Sequence, residues 1–265
     1  MSNKLDTFGT SYSLNKVNEK NTIVFIHGVG LTKEIWDPQV NFFKNYNTLT
    51  YDLLGHGKTP LEKPHLNFKD YSKQLLNLID ELDLKKIHLV GFSLGSLIAR
   101  EFASLHSDRI SSLVLHGSIY KRSKDQKLIV QNRYEIIKLD GPASKKSSLR
   151  RWFSQEFIKN NQEIYNKIYL MLENNDHKDF LKAYKLFICY EDDDEIISKI
   201  KTNTLVTTGQ FDVGSTPEMA KNLSSQIKRS KYIEIKKGKH LCQIECANDF
   251  NKTIKSFIDK NYDQA

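Results

Sequence analysis

The sequence predicts an α/β fold with a mostly parallel central sheet and helices on both of its faces. Apolar, β-rich runs alternate along the chain with segments of helical periodicity, which is typical of strands joined by crossover helices. The runs are continuously apolar, which indicates strands that are buried on both faces. With 265 residues, 39% of them hydrophobic, the chain can bury a full-size core. The strand-like runs are "TIVFIHG" (22–28), "NTLTYDLLG" (47–55), "KIHLVGFS" (86–93), "SSLVLHGS" (111–118), "NTLVTTGQFD" (203–212) and "KYIEIKKGKH" (231–240).

The clearest amphipathic helix lies between the second and third of these runs. In "FKDYSKQLLNLIDELDL" (68–84), the apolar residues Tyr71, Leu75, Leu78 and Leu82 recur at a spacing of three or four. We therefore expect one face of this helix to pack against the sheet.

One interval interrupts the alternation of strands and helices. From about residue 119 to residue 198 the sequence has helix-like stretches and no convincing strand. We expect this interval to be a helical cap, or lid, inserted over one edge of the sheet. The predicted division is an α/β core formed by residues 1–118 and 199–265, and a cap formed by residues 119–198.

Composition argues against several classes of protein. The formal charge is +8, but the lysines are spread along the chain and no nucleic-acid-binding motif is present, so no nucleic-acid partner is expected. No apolar run approaches the roughly 18 residues that span a bilayer, and the first residues contain no apolar signal segment. Three cysteines are too few for a disulfide framework, which favours a reducing compartment. We expect a cytoplasmic protein with no membrane partner.

No metal site is expected. Cys242 and Cys246 lie near His240, but this pattern is more typical of small buried thiols than of metal ligands. The acidic run "EDDDE" (191–195) lacks the spaced glycine of a calcium loop and is interpreted as a solvated turn.

A possible nucleophile lies where the third strand-like run meets a helix-like segment. The residues G91-F92-S93-L94-G95 match the G-x-S-x-G pattern, in which a serine occupies a sharp turn between strand and helix. Glycines on either side of Ser93 allow the close backbone approach that such a turn requires. The following helix would present its positive end to negative charge that develops near Ser93.

A serine hydroxyl needs a general base, and the base needs an orienting acid. In this architecture the expected order along the chain is serine, acid, histidine. Of the eight histidines, only His240 follows the last plausible acid-bearing strand. Asp212 stands at the carboxyl end of the penultimate strand, where open α/β sheets place their ligand sites. The predicted catalytic residues are therefore Ser93, Asp212 and His240.

Two backbone N–H groups are predicted to form an oxyanion hole. The loop "HGVG" (27–30) closes the first strong strand and can turn an N–H group toward Ser93. We assign the two donors to Val29 and Leu94. His27 is interpreted as a support for this loop, and His56 of the second Gly-His-Gly loop as structural.

With these residues assembled, the chain resembles the α/β-hydrolase superfamily over nearly its whole length. Within it, the chain is similar to small cytoplasmic esterases and lactonases, such as 3-oxoadipate enol-lactonases and pimeloyl-carrier-protein methyl ester esterases. The resemblance implies the α/β-hydrolase fold, a triad of Ser93, Asp212 and His240, and no cofactor. One departure is Ser96, where many relatives have a second glycine. The motifs that carry the resemblance are "HGVG", "DLLGHGKT", "GFSLGS", "TGQFDVGSTPEMA" and "KGKHLCQIECANDF".

The expected reaction is two-step acyl transfer on a small-molecule ester, lactone or acyl thioester. The same triad can also hydrolyse a C–C bond of a diketone-type substrate, and the sequence does not separate these two chemistries. A third hypothesis, from another class, is a ligand-binding, receptor-like scaffold with little turnover.

Substrate choice is expected to depend on the cap. The substrate-pocket candidates are Trp36, Phe92, Trp152 and Phe153. Residues 121–190 contain 15 Lys and Arg against 8 Asp and Glu, a net charge of +7 that includes Arg150 and Arg151. This charge would suit an anionic substrate or an acidic carrier protein. A lysine-rich composition explains this charge equally well. We expect the protein to be a monomer or a homodimer.

Overall fold

The computed structural model describes residues 4–139 and 142–262, which contain eight strands in one sheet. The strands are β1 (Lys4–Leu5), β2 (Ser11–Asn15), β3 (Thr22–Ile26), β4 (Thr48–Tyr51), β5 (Ile87–Phe92), β6 (Ile110–His116), β7 (Thr204–Gly209) and β8 (Ser230–Ile235). Their order across the sheet is β1-β2-β4-β3-β5-β6-β7-β8.

The sheet is mostly parallel, as predicted. Strands β3 to β8 pair in parallel, whereas β1 pairs with β2, and β2 with β4, in antiparallel register. The six strand-like runs of the sequence correspond to β3–β8. The edge strand β1 and its neighbour β2 were not predicted. In β2, the short stretch Ser11–Asn15 has only two apolar residues among polar ones.

Twelve α-helices lie in the described residues, and the predicted helix of residues 68–84 is the second of them. The helices are α1 (Asp37–Phe42), α2 (Phe68–Glu81), α3 (Leu94–Leu105), α4 (Lys124–Lys138), α5 (Pro142–Trp152), α6 (Gln155–Asn160), α7 (Gln162–Glu173), α8 (His177–Ile188), α9 (Asp194–Ser198), α10 (Pro217–Gln226), α11 (Cys242–Glu245) and α12 (Ala247–Tyr262).

Both faces of the sheet are covered by apolar side chains. In β3, Val24 and Ile26 belong to one buried cluster, and Ile23 and Phe25 belong to the other. Successive side chains of a strand point to opposite faces, so each face of β3 contributes to a separate core. The first cluster includes residues of α2, α3 and α10, and the second includes residues of α12. The two-faced burial explains why this strand is continuously apolar.

The interval between β6 and β7 is helical. Within its described residues, 119–139 and 142–198, the structure has helices α4–α9 and no strand. We call residues 119–198 the helical segment. Its assignment as a cap, and of residues 1–118 and 199–265 as a core, stays a prediction. Residues 1–3, 140, 141 and 263–265, which these divisions include, lie outside the described residues.

None of the helices in the described ranges combines the length and the apolar character needed to cross a membrane.

Candidate active site

Ser93 occupies a strained turn between β5 and α3. Its backbone has φ of 53° and ψ of −114°, a conformation that a non-glycine residue rarely adopts. The flanking glycines are required by packing. A Cβ atom at position 91 would lie 2.3 Å from the carbonyl oxygen of Gly95, and one at position 95 would lie 2.4 Å from that of Ile26. The G-x-S-x-G pattern therefore reflects backbone contacts that leave no room for a side chain.

The structure brings Ser93, His240 and Asp212 together in one hydrogen-bonded chain. The Nδ1 atom of His240 lies 2.6 Å from Oδ2 of Asp212, and its Nε2 atom lies 3.3 Å from Oγ of Ser93. Asp212 follows β7, and His240 lies in the loop between β8 and α11. Because an ionised carboxylate accepts the Nδ1 proton, the Nε2 atom is left to accept the serine proton.

The carboxylate of Asp212 is buried and well supplied with donors. Its Oδ1 atom accepts the backbone N–H groups of Gly214 at 2.8 Å and Ser215 at 3.0 Å, and the hydroxyl of Thr208 lies 3.3 Å from Oδ2. Burial alone would raise the pKa of Asp212, but His240 and the two N–H groups outweigh burial and lower it. Asp212 is therefore held as an anion that can orient His240.

The imidazole of His240 lies between two aromatic rings. Its centroid is 4.9 Å from that of Phe92 and 6.1 Å from that of Trp152. These contacts, together with Asp212, restrict the orientation of the ring.

The loop that carries His240 is joined to the end of α5. The N–H group of Leu241 donates to the carbonyl oxygen of Trp152 at 3.1 Å. The carboxylate of Glu245 accepts the N–H groups of Ser154 at 3.0 Å and of Lys239 at 3.2 Å. The position of the imidazole is therefore linked to the position of α5.

The predicted oxyanion donors lie beside Ser93. Among the described residues, neither the N–H group of Val29 nor that of Leu94 makes a hydrogen bond. Leu94 is the first residue of α3, so its N–H group lies at the positive end of that helix. Val29 lines the same cavity as Ser93. The two groups are available to bind a developing negative charge.

Buried polar groups hold the Val29 loop in place through hydrogen bonds and an ion pair. His27 contacts the Gly28 carbonyl oxygen through Nδ1 at 2.8 Å and accepts the Leu53 N–H group through Nε2 at 3.0 Å. Burial lowers the pKa of His27 to about 4, so the ring is neutral. Its two contacts hold the Val29 loop next to Leu53. Lys33 and Asp52 form a buried ion pair of 2.9 Å at the end of the loop.

The cavity that contains Ser93 and His240 extends beneath the helical segment. Its volume is about 1040 Å³ when the open solvent at its mouth is included. Trp152, one of the substrate-pocket candidates, lines it. Apolar side chains from the Val29 loop, α4, α7 and α8 form much of its wall: Val29, Val130, Ile137, Leu172, Phe180 and Phe187.

Three predicted pocket residues, Trp36, Phe92 and Phe153, do not line this cavity. Each is at most 1% exposed, and all three belong to the second buried cluster. Trp36 packs against Phe25, with ring centroids 5.0 Å apart, because the chain after the Val29 loop turns into the core. Phe153 points inward and stacks on Phe157 at 4.7 Å. The prediction was wrong for these residues.

Phe92 nevertheless contributes to the site indirectly. Because Ser93 and Phe92 are consecutive residues at the end of a strand, their side chains point in different directions, and Phe92 lies under His240. Its role is support of the imidazole rather than contact with a substrate.

Several charged residues of the cavity were not predicted from the sequence. Arg122, Arg133 and Arg151 all line it, whereas Arg150 is exposed. The net charge of the sequence indicated that this region is basic, but it did not indicate which arginines face the cavity. A usable signal was the spacing of Val130, Arg133 and Ile137, which places the arginine on one face of α4 with two apolar residues.

Four of the five residues of the acidic run are exposed, as expected for a solvated segment, and Asp192 is the exception. Asp192 pairs with Arg100 of α3 at 2.6 Å, and the arginine side chain is fully buried. The same carboxylate accepts the N–H group of Lys121 at 2.6 Å. Through Asp192 the run connects the helical segment to the helix that follows Ser93.

Comparison with known proteins identifies relatives of the whole chain. A family described as "alpha/beta hydrolase fold" matches residues 21–247. The chain is 28% identical over 246 residues to (E)-2-((N-methylformamido)methylene)succinate hydrolase of Acinetobacter baylyi, and the match covers 91% of each protein. It is 25% identical over 250 residues to 3-oxoadipate enol-lactonase 1 of the same species, covering 94% of this chain and 92% of the lactonase.

Solved structures show the same architecture. The enol-lactonase from Burkholderia xenovorans LB400 superposes with a TM-score of 0.88 at 23% identity, covering 97% of this chain and 100% of that one. A thermophilic esterase from Thermogutta terrifontis gives a TM-score of 0.84 at 22% identity, covering 96% and 94%. At this identity the likeness concerns the fold, and it confirms the predicted fold class.

Proposed function

The chain belongs to the alpha/beta hydrolase fold family, and from that premise we propose that it is a serine hydrolase acting on a carboxylic ester, lactone or thioester. The observation that carries the proposal is the hydrogen-bonded chain of Ser93, His240 and Asp212 at the wall of a cavity. The curated relatives support it, since one of them is named as an enol-lactonase and another as a hydrolase.

In the first step, His240 takes the proton of Ser93 through Nε2 while Oγ attacks the carbonyl carbon of the substrate. The resulting oxyanion is bound by the N–H groups of Val29 and Leu94. His240 then gives its proton to the leaving group, and the acyl group stays on Ser93.

In the second step, a water molecule replaces the leaving group. His240 removes a proton from the water, which attacks the acyl-enzyme and passes through a second oxyanion in the same hole. Return of the proton to Ser93 releases the acid. Asp212 remains ionised throughout and stabilises the imidazolium that forms in each step.

The test is covalent labelling with a fluorophosphonate probe, combined with turnover of p-nitrophenyl esters. We expect Ser93→Ala to abolish labelling and to reduce kcat by at least about a thousandfold, because the acyl-enzyme cannot form. Ser118→Ala is the matched control, since Ser118 is a buried serine just beyond the end of neighbouring strand β6. Full ester turnover in Ser93→Ala would refute the proposal.

The same assay separates the two alternatives from the esterase. Ser93-dependent labelling with cleavage of a vinylogous diketone, and no ester turnover, would indicate C–C bond hydrolysis. Tight ligand binding without turnover of either substrate class would indicate the receptor-like scaffold.

A further inference from the structure

The cavity that contains Ser93 holds more positive charge than acyl transfer requires. Arg122 precedes α4, Arg133 lies within α4 and Arg151 lies near the end of α5, yet all three line the same space. Among the described residues, the carboxylates that act on Arg122 from a distance, those of Asp192 and Glu191, form their ion pairs with Arg100 and Lys127 instead. The one carboxylate in the described lining, that of Asp212, is already bonded to His240.

The three guanidinium groups also act on one another. Burial lowers the pKa of Arg122 and of Arg151 to about 10, and the charge of Arg133 contributes in the same direction at both. Like charges that converge in a partly buried space raise the free energy of the empty site. An anion bound between them would relieve this repulsion.

The three arginines differ in the hydrogen bonds that they make to the rest of the protein. Arg122 donates through Nη1 to the carbonyl oxygens of Phe187 and Ile188, so it fastens the end of α8. Within the described part of the chain, Arg151 donates hydrogen bonds to two serine hydroxyls of its own helix, those of Ser147 and Ser148. Arg133 interacts with the hydroxyl of Tyr184. Arg133 and Arg151 therefore keep N–H donors that can turn to a ligand.

Tyr184 and the apolar wall complete the description of the ligand. Burial raises the pKa of Tyr184 in spite of the neighbouring arginines, so its hydroxyl keeps a proton that it can donate. Around this polar cluster the wall is formed by Val130, Ile137, Phe180 and Phe187. The cavity thus pairs an apolar wall with a group of cationic and hydroxyl donors, which suits an apolar chain that ends in an anion.

Resting on the proposed function, we propose that the substrate carries a carboxylate group remote from the bond that is cleaved, and that Arg133 and Arg151 bind it. A guanidinium fork matches the two oxygens of a carboxylate and forms paired, charge-assisted hydrogen bonds with them. Arg122 adds positive potential, and Tyr184 adds a neutral donor. The apolar wall contacts the carbon chain between the carboxylate and the carbonyl group held at Ser93.

The kinetic test uses two esters that differ in one terminal group: mono-p-nitrophenyl glutarate and p-nitrophenyl pentanoate. We expect a higher kcat/KM for the glutarate ester. Arg133→Gln and Arg151→Gln should each lower it by about 10- to 100-fold, mainly through KM, because each removes a charge-assisted contact. Hydrolysis of the pentanoate ester should fall by a clearly smaller factor in both variants, because that ester has no carboxylate for either guanidinium group to bind. Added KCl should lower kcat/KM for the charged ester alone.

Arg150→Gln is the matched control. Arg150 is adjacent to Arg151 in α5 and has the same charge, but it is exposed and does not line the cavity. We expect it to leave both esters unaffected. An equal loss in Arg150→Gln and Arg151→Gln would show that only overall charge matters, and would overturn the assignment.

A binding measurement separates this inference from the proposed reaction. Calorimetry of free glutarate with the Ser93→Ala protein does not depend on turnover. We expect binding that is lost on adding Arg133→Gln or Arg151→Gln and kept on adding Arg150→Gln. Equal rates for the two esters, no glutarate binding, or tighter binding of inorganic phosphate would overturn the carboxylate assignment and leave the serine mechanism standing. Ester turnover that survives Ser93→Ala would instead remove the mechanism.

Discussion

His240 presents Nδ1 to the Oδ2 atom of Asp212 at 2.6 Å, and this contact determines which ring nitrogen carries the proton. Asp212→Asn keeps the shape of the side chain but can place an amide N–H group where an acceptor is needed. We expect kcat to fall by about 10⁴-fold with little change in KM, because the imidazole would be held in the wrong tautomer. Ester turnover measures the effect. Asp249, an exposed acid of α12, supplies the control: Asp249→Asn should be fully active. Activity of Asp212→Asn within tenfold of the wild type would contradict the triad.

The glycine at position 95 has a packing role that can be measured as stability. A Cβ atom there would lie 2.4 Å from the carbonyl oxygen of Ile26, which is backbone and cannot move aside cheaply. We expect Gly95→Ala to lower the unfolding free energy by at least about 2 kcal/mol in urea titrations. At Gly214 a Cβ atom would meet only Oδ1 of Asp212, at 3.5 Å. Gly214→Ala should therefore unfold near the wild-type midpoint, and equal losses in the two variants would contradict the clash.

The ion pair between Lys33 and Asp52 is buried, with side-chain exposures of 2% and 1%. Lys33→Met leaves the carboxylate without its cation, so we expect the unfolding free energy to fall by about 3–5 kcal/mol. The comparison variant is Lys167→Met, which breaks a half-exposed pair with Asp37 and should cost about 0–1 kcal/mol. Urea unfolding of both variants provides the measurement, and similar losses would show that burial is not the cause.

Four buried histidines should make the fold sensitive to acid. Burial lowers the pKa of His27, His88 and His116 to about 4 and that of His56 to about 3. In the unfolded chain these groups take up protons as the pH falls below about 6.5, whereas in the folded chain they resist protonation until about pH 4. Their contribution to stability is therefore complete above pH 6.5 and is lost as the pH falls toward 4.

Urea titrations at pH 7 and pH 5 measure this effect. We expect the unfolding free energy to be lower at pH 5, by about 1–2 kcal/mol for each such histidine. His88→Gln should reduce the difference between the two pH values, and His65→Gln, at an exposed position, should not. Equal unfolding free energies at the two pH values would contradict the shifted pKa values.

The parts of the fold that the sequence predicted well are those that depend on strongly patterned burial. In β3, the four residues from Ile23 to Ile26 are all apolar because both faces of the strand are covered. The stretch Ser11–Asn15 lies near the sheet edge, so partly polar residues suffice there and its pattern stays weak. Sharp turns leave an equally local signature, which is why Ser93 could be located from its flanking glycines.

The cavity lining could not be predicted in the same way. An aromatic residue near a functional loop, such as Trp36, contributes equally well to the core, and sequence does not tell the two apart. Arg150 and Arg151 are neighbours in the chain, yet only Arg151 lines the cavity. Which of the two does so depends on the packed rotation of α5, which is a tertiary property.

Because α5 is hydrogen-bonded to the His240 loop, the sequence of α5 should be less free to change than the sequence of α4. Arg151 and Trp152 are consecutive residues of α5, and both line the cavity. Trp152 in addition contacts the imidazole of His240 and accepts the Leu241 N–H group. Consecutive helical side chains project about 100° apart, so a single inserted residue would turn either one out of place. If the proposed function holds, we expect a homologue with a different α4 to change its ligand preference without moving His240. A homologue with a different α5 would have to reposition His240 as well, so we expect substrate preference to diverge mainly through α4.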